Sequence, residues 1–112
     1  AANLQFSYMA GAYFENYVMN QLVIKYKLMH NPPEIYFYRD SDKNEIDIIL
    51  EDFDGLTPLE VKLSANPNKR VVNRFKVLDK TGNEIKNGGI ICLSDDIYPI
   101  DEKNSLIPVS VL

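Results

Sequence analysis

One cysteine, one histidine and no apolar run approaching the length of a bilayer: these scarcities in a chain of 112 residues exclude several classes at the outset. A lone cysteine cannot build an intrachain disulfide framework, which favours a reducing compartment. Cys92 sits in the run Ile90-Ile91-Cys92-Leu93, which reads as a buried strand carrying an inert thiol. With His30 alone, neither a histidine relay nor a histidine-rich zinc site can form, and its place after Lys25 and Lys27 reads as a helix end. No stretch nears the roughly 20 apolar residues that a membrane helix needs, and no basic-then-hydrophobic signal opens the chain. The expectation is a cytoplasmic protein with no membrane association. A net charge of -4 argues against a uniformly basic nucleic-acid coat while leaving room for a local basic patch.

What is present fits one globular domain, residues 1–112: 46% hydrophobic and 25% charged residues support a single core. There is no internal repeat or low-complexity segment. Ala1-Ala2 and the abrupt entry into a helical pattern suggest a domain cut from a longer protein. Phe14, Val18, Leu22 and Tyr26 recur at helical spacing and predict a long amphipathic helix from about Tyr8, stopped by Asn31-Pro32-Pro33. Three strands follow, Glu34 to Tyr38, Glu45 to Glu51 and Leu56 to Leu63, spaced closely enough for an antiparallel meander. Val71, Phe75 and Leu78 predict a second helix over Asn66 to Asp79. A strand at Ile90 to Leu93 and another at Leu106 to Leu112, with Pro108 suited to an edge, complete the order αβββαβ plus a terminal strand. The fold class is α/β (α+β), a mixed central sheet flanked by helices.

The acids gather on two of these strands. Strand alternation puts Glu45 and Asp47 on one face and Ile46, Ile48 and Leu50 on the other; Glu60, Lys62 and Ser64 likewise share a face opposite Leu59, Val61 and Leu63. Antiparallel pairing would bring Asp47, Glu60 and Lys62 together. Glu15 falls within the apolar stripe of the first helix, near Val18, Met19 and Leu22, where a carboxylate needs a compensating cation, and Gly11 one turn earlier would let another element approach closely. Carboxylates on adjacent strands with a lysine two residues after one of them are the minimum for Mg2+-assisted phosphodiester hydrolysis. Asp47 and Glu60 would hold Mg2+ (or Mn2+), Glu15 would support it directly or through water, Lys62 would position and activate water, and Glu45 would stand behind them. The same residues also fit a solvated strand face carrying a weak ion pair.

These residues resemble the PD-(D/E)XK nuclease superfamily, whose restriction-endonuclease-like core is αβββαβ with an Asp on the second strand and Glu-x-Lys on the third. More narrowly, GAYFENYVMNQL, YFYRDSDKNEIDIIL, PLEVKLS and IPVSVL look like the C-terminal nuclease-like domain of unknown function in bacterial and archaeal P-loop ATPases of the AAA type. The resemblance implies catalytic roles for Glu15, Asp47, Glu60 and Lys62, and an ATPase domain upstream as partner. Ile46 replaces the proline of the superfamily name. The chain contains no GxxxxGK[ST] loop and so is not itself the ATPase.

Charge is polarised along the sequence, with nine acids against two bases between residues 34 and 60, and six bases against one acid between residues 62 and 80. Read as an α-helix, the basic segment sets Arg70 and Arg74 one turn apart, beside a stripe of Lys69, Asn73, Lys76 and Lys80. Lys69, Arg70, Arg74 and Ser64 would contact DNA phosphates; a solvated face balancing the protein's own acids is the alternative. Tyr36, Phe37 and Tyr38 could stack on bases, though strand spacing favours packing in the sheet. Asp95, Asp96, Asp101 and Glu102 match no calcium loop and read as solvated. Two functions follow: a Mg2+-dependent nuclease module acting on DNA, or a catalytically silent nuclease-fold module that binds nucleic acid or protein. A structural or antitoxin-like domain without metal is a third.

Overall fold

Six strands share one mixed sheet in the order β1-β2-β3-β4-β6-β5, with one helix laid on each face. The structure is a computed structural model that describes the backbone of residues 2–112 and the side chains of residues 9–112. Helix α1 spans Ala2–Lys27, starting six residues before the expected Tyr8; the expectation for Ala1 lies outside the described residues. Strands β1 (Glu34–Arg39), β2 (Glu45–Asp52) and β3 (Gly55–Val61) form the expected antiparallel meander. A 3-10 helix, Lys69–Thr81, crosses to β4 (Gly88–Cys92), which joins β3 in parallel. Strand β6 (Asn104–Pro108) runs parallel to β4. A two-residue strand β5 (Tyr98–Pro99) pairs with β6 at the sheet edge, and the chain closes in a short 3-10 turn, Val109–Val111, where a longer strand was expected. Pro108 lies beyond the reach of β5, so its missing N–H faces an open edge.

Two apolar clusters sandwich the sheet. On the α1 face, Val18 and Leu22 pack on Ile48, Leu50, Leu59, Val61 and Ile91; Phe14, Met19 and Tyr26 join from the same helical stripe. On the other face the 3-10 helix sets Val71, Val72, Phe75 and Leu78 against Ile46, Ile49, Leu56, Ile90, Cys92 and Leu106. Cys92 is fully buried there, as its apolar run implied.

Two helices differ from expectation. In the 3-10 helix, three residues per turn align every third side chain, so Val72, Phe75 and Leu78 form one eclipsed, buried row. Arg70 and Arg74 therefore fall in different rows, and the α-helical stripe Lys69, Asn73, Lys76 and Lys80 is redistributed round the axis. Asn68 caps the start by accepting from the Arg70 N–H, and Gly82, at φ 77°, ends it in the left-handed conformation. Helix α1 is not amphipathic in the expected sense. At about 39 Å it overhangs the sheet, and Tyr13, Tyr17, Ile24 and Leu28 form an exposed stripe opposite Val18 and Leu22. Among the described residues nothing lies within 4 Å of a Cβ placed on Gly11, so the expected close approach of another element is not seen there.

Candidate metal site

The site is made by a fault in strand β2. Tyr36 pairs with Ile49 but Tyr38 pairs with Ile46, so two residues of β1 span three of β2 and the extra residue lies at Asp47-Ile48. Such a β-bulge bends its strand and re-aims a side chain. It also breaks the alternation expected from the sequence, because Ile46 packs with Ile49 on the 3-10 face while Ile48 and Leu50 face α1. The β2–β3 ladder stops at Ile48–Leu59. Beyond that point the Val61 N–H, denied a backbone partner on β2, donates to Asp47 Oδ2 at 2.8 Å. The Asp47 carboxylate therefore sits in the fork where β2 and β3 part.

Glu60 lies deep behind it, 1% exposed, on the strand face opposite Leu59 and Val61. Among the described residues its Oε1 has no hydrogen-bond partner, although buried polar atoms nearly always have one. The Arg74 guanidinium on the 3-10 helix is 3.8 Å from that atom, close enough to attract and too far to donate. Loss of water pushes the Glu60 pKa up to about 8, helped by the adjacent Asp47 carboxylate and opposed by Lys62 and Arg74. The pair Asp47 and Glu60 thus holds more negative potential than its surroundings compensate.

Lys62 follows directly on β3, its N–H donating to the Ile91 carbonyl, and is partly buried. Its ammonium acts electrostatically on both Glu15 and Glu60, yet among the described residues it makes no ion pair within 4 Å. Glu15 is exposed rather than sunk in the apolar stripe, because α1 carries it past the sheet to the rim of a cleft of about 290 Å³. Asn16, Phe37, Arg39, Glu45 and Asp47 also line that cleft. Partial loss of water, then the Asp47 charge, raises the Glu15 pKa against the pull of Lys62. Glu45 pairs at the surface with Arg39 at 3.0 Å. A larger cavity, about 420 Å³, lies away from these acids, between the 3-10 helix and the Asp101–Asn104 turn.

The remaining expected residues divide. Ser64 Oγ accepts the Asn66 N–H within its own turn. Lys69 and Arg70 are exposed near the start of the 3-10 helix, and Lys80 is occupied by Asp40 at 3.1 Å, over the Tyr38 ring. Asp40 accepts from Tyr38, Asp42, Asn44 and Lys80; despite its partial removal from water, these bonds hold its carboxyl well below the usual range. Of the three adjacent aromatics, Tyr38 packs as expected, whereas Phe37 is 73% exposed. Asp95, Asp96 and Asp101 bind local donors, and among the described residues no three His, Cys, Asp or Glu side chains converge to enclose an ion. The pair Asp47 and Glu60, with Glu15 at the rim, is what the fold assembles. Two carboxylates and an unsatisfied oxygen suit Mg2+, which commonly takes one or two protein carboxylates and fills its remaining positions with water and substrate phosphate.

Residues 10–112 match the model of the family described as Domain of unknown function (DUF4143). The chain belongs to that family. No solved structure matches it. Within the described residues of this DUF4143 chain, no helix is long and apolar enough to cross a membrane.

Proposed function

We propose that this DUF4143 domain is a Mg2+-dependent nuclease module of the PD-(D/E)XK type, hydrolysing phosphodiester bonds of DNA, and the C-terminal part of an AAA-type ATPase. The observation that carries the reading is the buried, partnerless Glu60 Oε1 beside Asp47. Asp47 and Glu60 would hold the ion. When bound, it supplies Lewis-acid activation of a water and neutralises charge on the phosphate.

The chain's own groups have distinct tasks. The Val61 N–H fixes Asp47 through its Oδ2 and leaves the other oxygen available. Lys62, which makes no ion pair among the described residues, orients the attacking water and offsets charge at the phosphate. Glu15, exposed at the rim and not converging with the other two acids, would act on the ion through water. Arg74 exchanges its loose contact with Glu60 for a substrate phosphate, and Lys69 and Arg70 extend the same basic surface.

A second reading, a silent nuclease-fold module for nucleic-acid or protein binding, is favoured by one contact: Arg74 already gives Glu60 a counter-charge. Thermal melting separates the two. Mg2+ or Mn2+ should raise the melting temperature of the parent chain and leave Asp47→Ala unmoved, since a ligand of the folded state adds stability by mass action. Plasmid and single-stranded DNA with Mn2+ should then be cut by the parent and spared by Lys62→Ala. An ion-dependent shift without cleavage selects the silent module, and no shift at all removes the metal site.

A further inference from the structure

Among the described residues that line this cleft, Phe37 is the large aromatic left in water. Strand alternation sends Ile35 into the α1-side core and Tyr38 into the opposite core, but the bulge turns β2 away beneath Phe37 and leaves its ring 73% exposed. It sits on the edge strand, across from Asp47-Ile48, and lines the same cleft as Asp47 and Glu15. Arg39 is two residues along the same strand face, about 7 Å away, and Asn16 of α1 offers an amide opposite.

Given the phosphodiester reading above, on which this step rests, a nucleotide whose phosphate meets Asp47, with Glu60 buried behind it, would have its base beside Phe37. We infer that Phe37 is a stacking platform for one unpaired base, so that the substrate is single-stranded or locally melted nucleic acid rather than intact duplex. A base inside a duplex has both faces covered by its neighbours, and only an unpaired one can offer its π-face to a ring. At about 290 Å³ the cleft is at the small end of ligand sites, sized for a nucleotide and not for a double helix. Asn16 supplies hydrogen bonding to the base edge, and Arg39 exchanges its surface pair with Glu45 for the neighbouring phosphate.

The chain contains no tryptophan, so Phe37→Trp introduces a single indole reporter. With Mg2+ present, a short fluorescein-labelled oligothymidylate and a duplex of equal length are titrated against the parent, Phe37→Ala and Phe37→Trp. Losing one base stack should weaken single-strand affinity about 5- to 150-fold in Phe37→Ala, with duplex affinity and the Mg2+ melting shift unchanged. Phe37→Trp should bind like the parent, its emission quenched as the unlabelled oligothymidylate is added. Unaltered single-strand affinity in Phe37→Ala, an unquenched indole in the bound complex, or a parent that prefers duplex overturns the platform. If the ion leaves the melting temperature unmoved while Phe37→Ala still loses single-strand binding, the platform stands and the metal reading fails.

Discussion

Glu60 sets the pH response of the molecule. Its pKa is raised on folding, so the native state holds a proton that the unfolded chain releases above the ordinary carboxyl range. The stability linked to that proton is complete below about pH 4.5 and is lost as pH climbs towards 8. Glu15, raised less deeply, acts in the same direction. Asp40, Asp52 and Asp101 are lowered, so the stability they contribute is constant above the ordinary carboxyl range and is lost only as pH falls below it. In EDTA, therefore, the melting temperature should fall between pH 5 and pH 8, and Glu60→Gln should flatten the slope and be about 1–3 kcal/mol more stable than the parent at pH 8. Mg2+ competes with the proton, so its melting shift should grow over the same window and vanish in Glu60→Gln. A slope unchanged by the substitution would place the titrating group elsewhere.

At the scale of elements, the 3-10 helix carries the clearest expectations. Phe75 is the centre of its eclipsed row, and Phe75→Ala should cost about 3–5 kcal/mol in denaturant melts. Gly82→Ala meets no neighbouring atom and should cost only about 1 kcal/mol, for the positive φ alone. The two helical periods explain why this segment was legible as a helix but not as this helix: Val71, Phe75 and Leu78 stand at i, i+4 and i+7, the α-helical rhythm, whereas the three-residue row runs Val72, Phe75 and Leu78. Phe75 and Leu78 belong to both readings, and only Val72 marks the tighter period. Helix α1 was legible through Val18 and Leu22, whereas its second apolar stripe was hidden because Tyr13, Tyr17, Ile24 and Leu28 look like core residues. The meander was readable from its turns. Strand β5 was not, since two residues carry no period. The bulge left no trace either, because Glu45 to Leu50 alternates perfectly on paper, and so the acids could be paired from sequence while their aim, the depth of Glu60 and the exposure of Glu15 and Phe37 could not.

For the molecule as a whole, the charge split along the chain becomes a split in space: the acids lie on the β1–β2–β3 meander and the bases on the helix laid over its far face. Nucleic-acid binding should be steeply salt-dependent. Lys69→Ala with Arg70→Ala should reduce the slope of log affinity against log salt by about 1.4 for single strands, with stability within about 0.5 kcal/mol of the parent because both side chains are solvated. An unchanged slope would assign the basic helix to balancing internal charge.

The kink in β2 has one more outcome. Because it is a matter of residue count, deleting Asp47 alone would restore a regular ladder in which Ile46 and Ile49, then two apart, still share the layer that holds Phe75, while Ile48 and Leu50 stay on the face of α1. The layer would outlast the shortening; the acid would not. A descendant of this chain that abandoned chemistry could therefore do so by a single deletion in β2 and keep its core.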